Sequence, residues 1–311
     1  MVSFGVGHYR LGLRETATML LHPQDLPEEK QFVLVQLRLP RIVAAVLVGA
    51  VMAGAGVAMQ AVFRNPLVSP FVLGISNGAT LGAALGIVFW NGVPWVTEAL
   101  AFAGGLVAVG LAYGLSGSGR STVTLLLFGM IVSSTAHALI GLLQVFADND
   151  NRLPALTFWM LGGLDGITLD ALWTIVPLAI LCLLFLLAWS HRLNLLALGD
   201  KEARLLGVDV GRAKPVVLAV ATLMVATCVA KTGVIAWIGL VIPHLGRSMI
   251  GADNRSLLPL SLVLGGLFLL GADDLARVLI RGELPVGVIT AIIGCPVFGL
   301  MLWRQRNVGW Q

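Results

Sequence analysis

Residues 38–79 read RLPRIVAAVLVGAVMAGAGVAMQAVFRNPLVSPFVLGISNGA. Arg38 and Arg41 bracket Leu39-Pro40, and no further charge follows until Arg64-Asn65-Pro66. An uncharged run of this kind matches the ~20 residues a helix needs to cross a bilayer. A second apolar run then carries glycines at Gly74, Gly78, Gly82 and Gly86. Spacing by four puts them on one helix face, where another backbone can approach closely. The stretch predicts helices packed inside a multi-helix membrane protein, with charges at defined edges.

The rest of the chain agrees. Of its 311 residues, 58% are hydrophobic and 12% charged, with mean hydropathy +0.93; a soluble domain has about 25% charged residues. Nine spans are predicted, at roughly 42–62, 71–90, 96–115, 123–146, 169–190, 214–231, 233–250, 258–278 and 286–303, in a single membrane domain over 38–311. Leu153–Gly166 is too short to span and reads as a surface or re-entrant helix. Residues 1–37 are more polar, with no signal-peptide pattern, and read as a segment lying on one membrane face. Cys182, Cys228 and Cys295 are well separated, lack metal-ligand spacing, and read as small core residues.

Charge suggests orientation. Of 20 basic residues, eleven lie on one side (Arg64, Arg120, Arg192, Lys201, Arg204, Arg212, Lys214, Arg247, Arg255, Arg304, Arg306), against four acids there. Leaving out the tail, the other side has six, so the first side is expected to be cytoplasmic, with the C-terminus. The 191–214 loop is the longest on that side. Its Leu198, Ala203, Leu205 and Leu206 alternate with charges, which predicts a short surface helix stopped by Gly207. A solvated connector would look similar; apolar leucines turned to the cytosol would also suit docking of a soluble partner.

Catalytic patterns are weak. Gly114-Leu-Ser-Gly-Ser-Gly119-Arg120-Ser121 resembles a phosphate-binding loop but has arginine for lysine and no preceding strand. Any energy from ATP must therefore come from a partner, and no cofactor, metal or catalytic residue is assigned. His137 reads as a packed core histidine, and His244 as tied to backbone carbonyls. Asp273 and Arg277 are spaced to pair at i, i+4. Lys231 has no evident partner.

Several long blocks resemble the permease subunits of ABC importers for iron chelates and vitamin B12. They are RLPR at 38–41, RNPL at 64–67, LGISNGA at 73–79, LLALGDKEARLLGV at 195–208, GLVIPHLGR at 239–247, ADDLAR at 272–277 and ELPVGVITAIIGCPVF at 283–298. The resemblance implies an all-α polytopic membrane protein with the type II importer permease fold. It implies a permease dimer, most often a homodimer, with two cytoplasmic ATPase subunits and a periplasmic binding protein in the bacterial inner membrane. Arg38, Arg41 and Arg277 match arginines that meet carboxylates on the binding protein. Leu198, Gly199, Asp200, Glu202, Ala203, Arg204, Leu205, Leu206 and Gly207 match the helices that seat in the ATPase. Ser121 and Thr122 match a cytoplasmic gate. The implied cargo is a ferric siderophore first, then haem, cobalamin or molybdate. Family members generally have ten spans; here the first is expected to be missing, with Val2–Gly7 like its outer end, and residues 1–37 are periplasmic. Lys231 stands where the family usually has a small or neutral residue. An ion-coupled transporter or a channel is the rival reading, which would call for acids in mid-span.

Overall fold

The computed structural model describes residues 2–5, 27–117, 121–148, 150–279 and 284–306. Arg120, Glu283 and most of the polar tail, including Arg10, Arg14 and Asp25, lie outside the described residues, as do the side chains of Arg304 and Arg306. The described chain is built of helices and connecting turns. In order they are α1 (Val2–Gly5), α2 (Glu28–Phe63), α3 (Ile75–Phe89), α4 (Pro94–Leu115), α5 (Thr122–Phe146), α6 (Arg152–Leu161) and α7 (Leu169–Ala188). There follow α8 (Ser190–Leu198), α9 (Asp200–Leu205), α10 (Val210–Thr232), α11 (Ile238–Ile250), α12 (Asn254–Leu279) and α13 (Val286–Arg306).

Each of the nine predicted spans falls on a helix. Seven are long and apolar enough to cross a membrane; α3 and α11, at 15 and 13 residues, are not. At 1.5 Å per residue these two reach only about 20–22 Å, short of a ~30 Å hydrocarbon core. A 3₁₀ turn at Pro70–Leu73 precedes α3, and Trp237, at φ +73°, precedes α11. Short apolar helices with irregular backbone at their ends are tolerated at membrane depth where surrounding protein covers them.

The span predicted at 42–62 lies within a longer helix. The α2 helix begins at Glu28 and runs past Arg38, Pro40 and Arg41 without a break. Residues Val33–Arg38 are wound as a π-helix, with the Leu39 N–H bonded to the Leu34 carbonyl. That wider turn shifts the hydrogen-bond register just before the residue that lacks an N–H, so the proline is absorbed. From Arg41 to Arg64 is about 35 Å of helix. That length alone is enough to cross a ~30 Å hydrocarbon core.

α2 is the hub of the bundle, buried over most of its length among α7, α10, α11 and α12. Glycine lets its neighbours in. A Cβ on Gly49 would stand 2.2 Å from the Gly265 carbonyl oxygen on α12, and one on Gly56 would stand 2.0 Å from that of Gly239 on α11. The stripe on α3 packs on α4: Cβ atoms on Gly78 and Gly82 would lie 2.4 Å and 1.9 Å from the Gly104 and Leu100 oxygens. Gly74 is not part of that face; at φ +88° it turns the chain from the 3₁₀ segment into α3.

Two side-chain expectations are corrected. His137 is exposed on α5, not packed in the core, because α5 buries mainly the face carrying Leu125, Gly129, Ala136, Ile140 and Leu143. Cys182 and Cys228 are buried as expected, but Cys295 is exposed on α13. Position within an apolar run does not reveal which face of a helix turns inward.

Candidate functional site

Charged groups collect at the two ends of the bundle. At one end Asp273, completely buried on α12, bridges two arginines. Its Oδ1 lies 2.8 Å from Arg41 Nε on α2, and its Oδ2 lies 3.1 Å from Arg277 Nε one turn along α12. Arg277 also pairs with Asp274. The short α1 turn closes the cluster: Ser3 Oγ donates to Asp274 Oδ2 at 2.7 Å, and Arg277 Nη1 donates to the Ser3 carbonyl at 3.2 Å. Arg38 Nη1 donates to the Phe4 carbonyl. The three arginines singled out in the sequence are thus brought into one cluster, each only 7% exposed and each with a partner inside the chain. The i, i+4 pairing expected of Asp273 and Arg277 is present; Arg41 as a second partner for the same carboxylate was not legible.

Lys231 also has a partner. Its Nζ lies 2.5 Å from Glu98 Oε2 on α4, across 133 residues of sequence. Glu98 is the one charge in an otherwise apolar helix, and that singularity was the available signal.

At the other end, α8 and α9 form two short helices where one was expected. Gly199, at φ +137°, breaks the chain between them, and Gly207, at φ +84°, turns it after α9. Leu193 and Leu196 anchor α8, and Ala203 anchors α9, all essentially fully buried. Lys214 Nζ, 2.7 Å from Asp200 Oδ1, ties α9 to α10. Asn194 donates to Asp253 Oδ1 at 2.6 Å and accepts the Asn254 N–H at 2.7 Å, tying α8 to the start of α12. The Arg255 N–H and the Asn194 amide hold the Asp253 carboxyl below the usual carboxylate range.

With these anchors set, three leucines point outward: Leu198 at 60% exposure, Leu205 at 87% and Leu206 at 57%. Ala203 does not join them, since its methyl is part of the anchor. Ser121 caps α5, its Oγ accepting the Thr124 N–H at 3.3 Å. Thr122 lines a cavity of about 390 Å³ together with Asp200, Arg204 and Lys214. Thr122 and two residues of the 198–207 segment therefore face the same space, a juxtaposition spacing alone could not reveal.

Comparison with known proteins fits this architecture. The chain is 36% identical to the molybdate import system permease protein MolB of Haemophilus influenzae, over 99% of this chain and 93% of that one. It is 37% identical to the hemin transport system permease protein HmuU of Yersinia pestis, with 99% and 94% covered. It is 39% identical to the cobalamin import system permease protein BtuC of Halobacterium salinarum, with 91% and 76% covered. A metal-chelate type ABC transporter solved in an inward-facing conformation superposes with a TM-score of 0.89 at 36% identity, over 97% of this chain and 94% of that one. PsaBC from Streptococcus pneumoniae, at 18% identity and a TM-score of 0.63, shares the fold. The FecCD transport family model matches residues 1–304, so a helix hub, a buried arginine cluster at one end and paired short helices at the other are here the build of an ABC importer permease of the FecCD transport family.

Proposed function

We propose that this protein is the membrane subunit of an importer that moves a metal chelate or similar small cargo across the inner membrane by alternating access, driven by a separate ATPase. Ferric siderophore stands first among the cargoes, with haem, cobalamin and molybdate behind it. Relatives named for molybdate, hemin and cobalamin support a cargo of that class. The end carrying α8 and α9 is cytoplasmic, as is the C-terminus, and residues 1–37 lie on the periplasmic side of the 38–311 permease domain.

The observation that carries the coupling role is the exposed trio Leu198, Leu205 and Leu206 on helices whose other faces are anchored to the bundle. Apolar side chains held outward on a fixed support suit a cleft in the ATPase. The segment 198–207, including Gly199, Asp200, Glu202, Arg204 and Gly207, would pass ATPase motion to α10 through the Asp200–Lys214 pair and to the gate at Ser121 and Thr122 through the shared cavity. A second copy of the chain completes the path. Ser134 and His137 are exposed on α5, and such groups are costly against lipid, which supports protein or water on that face.

Arg38, Arg41 and Arg277 form the docking site for a binding protein's carboxylates, at the end opposite α8 and α9. Engagement requires the Val2–Gly5 turn to yield its contacts to Arg38 and Arg277. Reversing Arg41 would set a carboxylate against buried Asp273, so it would confound docking with folding.

Leu205→Asp tests the coupling assignment. Because Leu205 is so exposed, the change should leave stability within about 0.5 kcal/mol. A charge placed in a packed interface should weaken ATPase docking by about 2 kcal/mol or more, roughly thirtyfold. ATP-driven uptake should fall to background while the permease stays monodisperse. Normal uptake by the variant would remove this segment from the coupling role.

A further inference from the structure

The cavity that holds Asp200, Arg204, Lys214 and Thr122 adjoins an apolar cleft of about 470 Å³ between α4 and α10. Tyr113, Pro215 and Leu218 wall both spaces. Tyr113 lies near the end of α4, Pro215 near the start of α10 and Thr122 at the start of α5, so the shared wall stands at one edge of the membrane. From there the cleft runs inward along Leu106 and Leu223, about 10–12 Å of helix rise from Tyr113 and Pro215. One space is charged and lies at the membrane edge; the other is apolar and lies at membrane depth.

The charge balance of the first space favours an anion. Asp200 is paired with Lys214, so its charge is offset. Arg204 makes no ion pair among the described residues and is exposed. The N-terminus of α5 at Thr122 adds a positive helix end. A free phosphate would use the first space and leave the cleft without a role. A ligand with a phosphate at one end and a hydrocarbon chain at the other matches both, and basic pockets at the membrane edge hold anionic headgroups.

We propose that this composite site binds one anionic phospholipid, its phosphate beside Arg204 and an acyl chain in the α4–α10 cleft. The lipid then touches the coupling segment, the gate helix and the start of α10 together, which places it where lipid composition can bias transport. The inference requires only that this end of the bundle lies at a membrane surface. It stands apart from the cargo and from which side is cytoplasmic.

The test is native mass spectrometry of the full chain released from nanodiscs of equimolar phosphatidylglycerol and phosphatidylethanolamine. Wild type should retain phosphatidylglycerol enriched about fivefold over the bulk ratio, the factor expected of one basic side chain at a membrane surface. Arg204→Gln removes the charge. Gly110→Phe fills the cleft, where a Cβ meets nothing within 4 Å, and Ala219→Phe fills it from α10 should the first variant fail to fold. Enrichment lost both in Arg204→Gln and in a cleft-filling variant supports the site. No enrichment in wild type, or enrichment surviving both changes, overturns it. Loss only in Arg204→Gln would mean phosphate attraction to surface charge without the cleft, and loss only on filling the cleft would mean that a group other than Arg204 selects the headgroup. Either overturns it as well.

Discussion

Asp273→Asn should destabilise the protein by about 3–5 kcal/mol, the cost of breaking a buried ion pair by removing one partner. The change keeps the side chain's shape but turns one of the two oxygens that face the arginines into an amide donor, so the loss combines the charge with one of the two arginine contacts. Asp273 is completely buried between Arg41 and Arg277, both 7% exposed. Without the carboxylate, two buried guanidinium groups are left with one counter-charge fewer, Arg277 keeping Asp274, and neither can lose its proton to escape. Asp274→Asn is the control: its carboxylate is 22% exposed and meets only one of these arginines, so its loss should be several-fold smaller. Thermal unfolding in detergent, followed by exposure of the buried Cys182 and Cys228 thiols, would measure both. Equal midpoints for Asp273→Asn and wild type would mean the bridge is not what joins α2 to α12 at this end.

Gly82→Leu should prevent α3 from seating on α4 and leave little folded protein. A Cβ at Gly82 would stand 1.9 Å from the Leu100 carbonyl oxygen and 2.9 Å from the Ala101 nitrogen. Both are backbone atoms of a helix and cannot step aside as the tip of a flexible side chain would. The helices must part instead, and that separation also loses the reciprocal contact of Gly78 and Gly104. Overpacking of this kind costs about 1–3 kcal/mol where side chains can adjust, and more where they cannot. In a bilayer the loss is not recovered by burial elsewhere, because packing itself holds the helices together. Gly141→Leu on α5 is the control, since a Cβ there meets nothing within 4 Å. Comparable yields of monodisperse protein from the two variants would contradict the assigned contact.

Much of the architecture was legible because the bilayer imposes one requirement on every span. Apolar length located all nine segments, and glycines four apart marked the α3 face that meets α4. Partners were harder to read. The spacing of Asp273 and Arg277 announced a pair, since both lie on one helix, but Arg41 joins them from 232 residues away. Glu98 and Lys231 likewise meet only through the packing of α4 on α10.

That α2 starts well before its predicted span at 42–62 was not legible, because a proline's usual penalty assumes an unbroken α-helical register and the π turn before Pro40 changes that register. His137 and Cys295 were misread because a membrane helix is apolar all round, so composition does not reveal which face packs. In the 198–207 segment the leucines were visible in sequence. Gly199, which divides the segment into two helices, and Ala203, which anchors the second, took their meaning only from the fold.

We propose that ATP hydrolysis in a partner subunit drives transport. The most direct measurement is cargo accumulation in proteoliposomes containing the permease with its co-purified ATPase and binding protein, with and without ATP. Accumulation should require ATP and survive collapse of proton and sodium gradients. Accumulation without ATP that disappears when those gradients are collapsed would contradict it.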